Sequence, residues 1–352
     1  MTFSGCNNLR DVYLPNTVTA IGEKAFMNCL KLSNINIPES LTSIGDSAFM
    51  RCEQLSFFKL PQTLTYLGSG AFMSCWNLMR VNLPDGLMEI QDQVFFMCTK
   101  LDYVTIPNTV KRIGNNAFRD CGSMKTIKLP ESLESIGDWA FYSCSFSRIE
   151  PSTSLGQDTP EDGTCLKLPS SLKHIGKYAF AEIRELTSII LPNSVKTIGE
   201  LAFSFTRNSH RNLHTLVIPA SVEEIGRYAF WHGTTYHHPD EVGPFTDDLN
   251  DVYCHLENPV YNYNIFGNVK DKTLHVPAQS IELYRNGSQW NKFKEIVPLT
   301  NDEVAMGILP LNGATNTQEV HYSLSGHRID SGQKGIHIIK YDNGTIRKVV
   351  IR

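Results

Sequence analysis

The sequence predicts an α/β repeat: a solenoid of short parallel strands followed by a small C-terminal β module. Three observations carry that reading. A proline preceded by Leu or Ile returns every 23 residues from Pro15 to Pro130, and its phase continues through Pro169, Pro192, Pro219, His255 and Pro277, giving eleven rungs. Each rung repeats one consensus, L-x-x-I-x-L/I-P-x-x-L/V-x-x-I-G-x-x-A-F-x-x-C, as in "LPNTVTAIGEKAFMNC" at 14–29 and "IPESLTSIGDSAFMRC" at 37–52. Beyond residue 300 the pattern stops, and "IHIIKYDNGTIRKVVI" at 336–351 reads as a β-hairpin with Asn343-Gly344 at its turn. One such unit cannot bury its own apolar edge, whereas a stack of them buries a continuous core. Parallel rungs lie about 4.8 Å apart, so the array is about 50 Å long.

Within the unit, "IxIP" alternates with period two and is a short strand, ended by a proline that cannot donate to a ladder. "LTSIG" is a second extended segment, closed by a glycine that permits a turn. "GEKAFMNC" spaces Ala, Phe and Cys as a single helical or 3₁₀ turn would. Phe26, Phe49, Phe72, Phe95, Phe118, Phe141, Phe180, Phe203 and Phe230 therefore stack as an internal spine, with Cys6, Cys29, Cys52, Cys75, Cys98, Cys121 and Cys144 in one phase beside it. A thiol ladder could be a disulfide or metal device. The spacing matches no zinc signature, parallel Cβ vectors suit disulfides poorly, and Ile183, Thr206 and Gly233 replace the cysteine in later rungs. The cysteines thus read as small hydrophobes filling a tight turn.

"LPNSVKTIGELAF" and "IPNTVKRIGNNAFRDC" resemble the BspA-like leucine-rich repeats of bacterial surface proteins and some protozoan parasites, over residues 1 to about 297. The resemblance implies a right-handed leucine-rich-repeat solenoid, extracellular or cell-surface placement, adhesion, and binding of surface ligands. Residues 1–272 are then the solenoid. Residues 273–299 resemble the C-terminal cap of such arrays, with an amphipathic helix and Ile281, Tyr284 and Trp290 as its core contacts. Residues 300–352 form the last module, whose "YSLSGHR" resembles the "YDLxGR" motif of tails on secreted Bacteroidetes proteins, with Ser323 in the place of Asp. That likeness implies a role in export or attachment. At the other end "TFSGC" aligns with "AFMNC", so the chain opens in mid-repeat and reads as a trimmed segment without an N-terminal cap or signal peptide.

Function should lie where rungs depart from the consensus. Three are long: Pro130 to Pro169 spans 39 residues, Pro192 to Pro219 spans 27, and Pro219 to His255 spans 36. All three gain length after the AF turn, along one edge. Insertions clustered on one face mark a binding face, although exposed loops also tolerate length at little cost. The first, acidic and rich in Pro and Gly, reads as a mobile loop. The third carries the candidate ligand-binding residues Trp231, Tyr236, His237, His238 and Phe245, exposed aromatics and imidazoles suited to sugar or protein. A metal on His237, His238 and Asp240 is conceivable, but adjacent histidines often point apart and no metal frame surrounds them.

The second candidate surface is the outward column of the strands. There Phe57, Lys59, Arg80, Tyr103 and Lys128 form a basic-aromatic patch, and Ile190, Val217 and Tyr253 an apolar one. A net charge of −4 without long single-sign runs argues against nucleic-acid partners and polybasic membrane contact. No apolar run is long enough to span a bilayer. GxSxG, P-loop and GxGxxG motifs are absent, so no enzyme, cofactor or metal is expected. The reading is a non-enzymatic surface or secreted protein that binds host or microbial surface protein or glycan. The alternatives are a carbohydrate binder using the third insertion, and an architectural spacer.

Overall fold

The computed structural model describes residues 2–146, 148–151, 164–183, 186–205, 213, 215–231, 249, 251–260, 264–267, 269–301, 303–304, 320–322, 328–329, 335–340 and 346–351. They fall into two units, Met1–Leu311 and Asn312–Arg352. The first is a parallel β-solenoid. Strands from successive rungs pair in register, for example Asp11↔Asn34, Arg80↔Tyr103, Lys128↔Thr105, Val217↔Tyr253 and Tyr253↔His275. The "IG" segments build a second face, with Ala20–Ile21, Ser43–Ile44 and Tyr66–Leu67 in one sheet and six segments from Glu89–Ile90 to Glu224–Ile225 in another.

The core lies between these faces and the AF turns. Inward residues of the strands, such as Val81, Val104 and Ile127, are buried, while their neighbours point to solvent. The phenylalanines form an unbroken stack from Phe3 through Phe26 and its repeats to Phe266, with ring centroids 5.3 to 5.9 Å apart and planes within 22°. That is the offset-stacked range for aromatic pairs. Small polar side chains tie the layers at fixed phases. The serine or threonine two residues beyond the marker proline, in the "L/I-P-x-S/T" stretch, donates to the rung before: Ser40 to Val18 O, Thr109 to Leu87 O and Ser132 to Val110 O, at 2.7 Å each. The residue after the glycine, or after Gln91 in its place, does the reverse, for Asp92, Asn115 and Asp138 each accept from the backbone N–H one rung on, at 2.8 Å.

The AF turn is not helical. Two residues hold left-handed backbone in each turn from the first, Lys24 (φ 53°) and Asn28 (φ 60°), through the fifth, Asn116 (φ 55°) and Asp120 (φ 59°), to the seventh, Tyr178 (φ 53°) and Glu182 (φ 60°). These interruptions rotate alternate N–H groups onto the solenoid axis. Lys24, Phe26 and Asn28 donate to Asp46, Ala48 and Met50 of the next rung, while Ala25, Met27 and Cys29 close local turns. The turn thus satisfies its backbone between rungs, as a sheet does. From Cys29 to Cys144 each ladder thiol also donates to a phenylalanine carbonyl of the preceding rung, Cys52 to Phe26 and Cys98 to Phe72 among them, at 3.1 to 3.2 Å. No disulfide joins the described cysteines.

The glycine serves close approach rather than a special φ. A Cβ on Gly45 would meet Glu23 N at 2.6 Å, and one on Gly137 would meet Gly114 C at 2.7 Å. The first insertion is also more than a loop. Arg148–Pro151 is a strand, paired on one side with Thr126–Leu129 and on the other with Thr164–Lys167. The second face has no matching layer, because Ser135–Ile136 pairs directly with His174–Ile175. The "IEP" of 149–151 therefore repeats the strand half of the consensus without its other half.

At the C-terminal end, Ile281–Asn286 forms a short α-helix and Glu295–Pro298 adds one further parallel strand. Tyr284 and Trp290 are fully buried and Ile281 packs against the core. Their polar tips bond the last complete rung, Tyr284 Oη to Leu256 O at 2.9 Å and Trp290 Nε1 to Val260 O at 3.1 Å. The second unit is an antiparallel sheet ordered 328–329, 320–322, 335–340, 346–351. Its longest pairing, between 335–340 and the edge strand 346–351, runs from Gly335↔Ile351 to Lys340↔Ile346, as in a hairpin. Asn343-Gly344 and Ser323 lie outside the described residues.

Candidate functional site

The strand face brings together all five residues of the basic-aromatic patch. Phe57 bridges to Arg80, and Arg80 pairs in register with Tyr103, so these three lie on consecutive layers of one column. Lys59, Asn82, Thr105 and Lys128 form the adjacent column, with Thr105 Oγ1 donating to Asn82 Oδ1 at 3.2 Å. Phe57 is 66% exposed and Tyr103 44%, large values for rings on a structured sheet. The cations are loosely held. Lys59 stands 3.7 Å from Glu39 and Arg80 Nε 3.5 Å from Asp102, on strongly exposed side chains, and exposed pairs of this kind contribute little. Lys128 pairs in backbone register with Glu150 of the next strand.

The second face is different. There Arg112 meets Glu89 and Asp92 at 3.3 and 3.1 Å, Lys173 meets Glu134 at 2.7 Å, and Lys196 meets Glu223 at 2.7 Å. Cations on that face are neutralised one rung away. In the outward columns of the strand face from Phe57 to Lys128 there are three cations and no carboxylate.

Two expectations need correction. Val217 is fully buried although its column faces away from the core, so Ile190, Val217 and Tyr253 do not form an open apolar patch. Its flanking partners in the sheet, Ile190 and Tyr253, are themselves half-buried. Trp231 is only 6% exposed and so is not a free aromatic anchor of the third insertion. Its backbone N–H bonds Tyr228 O and its carbonyl accepts from Phe205, which makes it part of the turn. Tyr236, His237, His238, Asp240 and Phe245 lie outside the described residues.

A second cluster, unforeseen in the sequence, closes the C-terminal rungs. His275 Nε2 lies 3.1 Å from Asp251 Oδ1, its ring packs on Tyr253 at 4.6 Å, and Glu303 Oε1 approaches Nδ1 at 3.2 Å, within ion-pair distance but outside hydrogen-bond geometry. Burial alone would raise the Glu303 carboxyl. The Thr300 backbone N–H and hydroxyl, with His275, outweigh it and hold the carboxyl below its usual value. Thr300 and Glu303 form a reciprocal capping box, a T-x-x-E signal that "TNDE" displays in the sequence. Beside it, a groove of about 640 Å³ runs between Val222, Leu256, Pro277, Leu299 and Val304. His255, in the position proline holds elsewhere, lines it with an unpaired, buried Nε2, and burial lowers its pKa. Among the described residues no group of His, Cys, Asp and Glu is arranged to hold a metal ion.

The chain matches the family described as "BspA type Leucine rich repeat region (6 copies)" over residues 1–102, 89–159 and 162–238. A leucine-rich repeat protein from Bacteroides ovatus has a similar crystal structure, at a TM-score of 0.51 and 23% identity, covering 84% of this chain and 85% of that one. The pneumococcal vaccine antigen PcpA is similar at a TM-score of 0.46 and 19% identity, covering 82% and 79%. A leucine rich cell surface protein from Faecalibacterium prausnitzii follows at 0.35 and 19%, covering 87% and 83%. At these identities the likeness is one of fold. No curated protein matches the chain.

Proposed function

The chain belongs to the BspA-type leucine-rich repeat family, and from that premise we propose that it is a non-enzymatic binding protein of the cell surface or extracellular space, adhering to host or microbial surface macromolecules. The observation that carries the reading is the strand face from Phe57 to Lys128, where exposed aromatics alternate with cations whose ion pairs are exposed and long. A stack of identical units offers extended surface rather than a preorganised pocket, which suits recognition and not catalysis. No described helix is long and apolar enough to cross a membrane. The insertion edge, with Tyr236, His237, His238 and Phe245, is the second surface considered, and burial of Trp231 weakens it.

The test is a solid-phase screen of the chain against extracellular-matrix proteins, mucins and polysaccharides. A variant lacking 234–246 and a strand-face variant, Phe57→Ala with Arg80→Gln, run beside it. Binding kept by the first and lost by the second is the expected result. The reverse moves the site to the insertion edge, and no binding by any form supports a spacer.

A further inference from the structure

We infer that the strand face from Phe57 to Lys128 takes an anionic polysaccharide, a polymer of sugar rings bearing sulfate or carboxylate groups. This rests on the strand-face reading above and names the ligand class for that face. Charge is the first argument. The chain carries a net charge of −4, yet Lys59, Arg80 and Lys128 are concentrated on one face while the second face pairs its cations with carboxylates. On the strand face the ion pairs of Lys59 and Arg80 are exposed and long, and such cations remain open to an anionic partner that fixes its register on them. They occupy the third, fourth and sixth rungs, and so span three layer spacings, about 14 Å along the solenoid axis. A single phosphate or carboxylate cannot reach them together, whereas a linear polyanion laid along the axis meets them in turn.

The groups between the cations select the class of polyanion. One column reads Phe57, Arg80, Tyr103 on consecutive layers, an aromatic on each side of a guanidinium. Its neighbour places Asn82 and Thr105 between Lys59 and Lys128. Exposed ring faces suit the apolar faces of sugars, and amide and hydroxyl groups suit their hydroxyls. An acidic peptide is served less well. The Tyr103–Thr105 strand is internal to its sheet, and the end strand Arg80–Asn82 is already bridged at Arg80 by Phe57, so little edge is left to which a peptide strand could pair.

Heparin oligosaccharides and hyaluronan are the anionic probes, dextran the neutral one and polyglutamate the acidic peptide, all measured with the intact chain by interferometry across a salt series. Heparin or hyaluronan should bind, weaken as salt rises, and exceed both dextran and polyglutamate at 0.15 M salt. The variant Lys59→Gln, Arg80→Gln, Lys128→Gln should lose at least tenfold in affinity. Phe57→Ala, which leaves the charge intact, should lose about fivefold, and simple ion exchange would not show that loss. All four positions are exposed, and an unchanged thermal midpoint would show that the variants fold. Equal binding of polyglutamate, or heparin binding that survives both variants, overturns the inference. If no polyanion binds but the strand-face variant still loses the partner found in the solid-phase screen, the ligand class is wrong while the strand-face reading stands.

Discussion

The ladder cysteines show how much one atom type does in this fold. Cys98 is fully buried, and its thiol donates to a carbonyl that also accepts the local N–H of Cys75, so sulfur supplies a second inter-rung bond where a methyl would supply none. Burial pushes the Cys98 thiol up to about 12, and it raises Cys52, Cys75, Cys121 and Cys144 well above the ordinary range. The folded values lie above the unfolded one, so the stabilisation is complete below about pH 8.5 and falls as pH rises beyond it, because only the unfolded chain then ionises. Stability should decline from pH 8.5 to 10.5, with each thiol adding up to about 1.4 kcal/mol per pH unit. Urea melts at pH 7.5, 9 and 10 measure the slope, and Cys98→Ala should lessen it. With iodoacetamide at pH 8, Cys6, which is exposed, should alkylate first among the described cysteines. Equal labelling of Cys98 in the native chain would contradict the burial argument.

At the scale of the element, period and core were readable because they are nearest-neighbour properties. The 23-residue return of Leu, Ile and Phe determines which side chains face inward, and the phenylalanine stack follows from it. The conformation of the turn was not readable. Helical spacing of Ala, Phe and Cys is also the spacing of two successive turns with left-handed residues, and only inter-rung hydrogen bonding separates them. Nor was the strand at 148–151, since half a consensus inside an acidic, Pro-rich stretch looks like a loop until its neighbours pair with it. The glycine's role gives the element-scale prediction. Gly137→Ala puts a methyl against the Gly114 carbonyl carbon, a backbone atom that cannot swing aside, and should destabilise by about 1–3 kcal/mol. Gly122→Ala, with nothing within 4 Å of its Cβ, should stay within about 0.5 kcal/mol of the parent in the same melts.

At the scale of the first unit, the candidate surface was legible because outward columns are fixed by strand period, whereas the fate of Trp231 and Val217 was not, because burial outside the core depends on contacts that no repeat encodes. A solenoid's stability is a sum of rung and interface terms, so a perturbation at one end should remain there. The C-terminal rungs supply one. Burial depresses the pKa of His255, so its contribution is complete above the unfolded value near 6.5 and is lost as pH falls through the folded one. Glu303 is likewise depressed, and its contribution persists to lower pH, fading only below the unfolded value near 4.3. Acidification should therefore loosen the C-terminal rungs in two steps, the first beginning below about pH 6.5 and the second below about 4.3. Hydrogen exchange followed by mass spectrometry, corrected for intrinsic rates, should show protection falling over 251–299 while 89–144 holds. His255→Leu should abolish the first step and raise stability at pH 5, since it removes a buried imidazole nitrogen that has no partner. Glu303→Gln should abolish the second. Uniform loss of protection along the array would mean that the rungs unfold as one cooperative block, and the local account of the C-terminal end would fail.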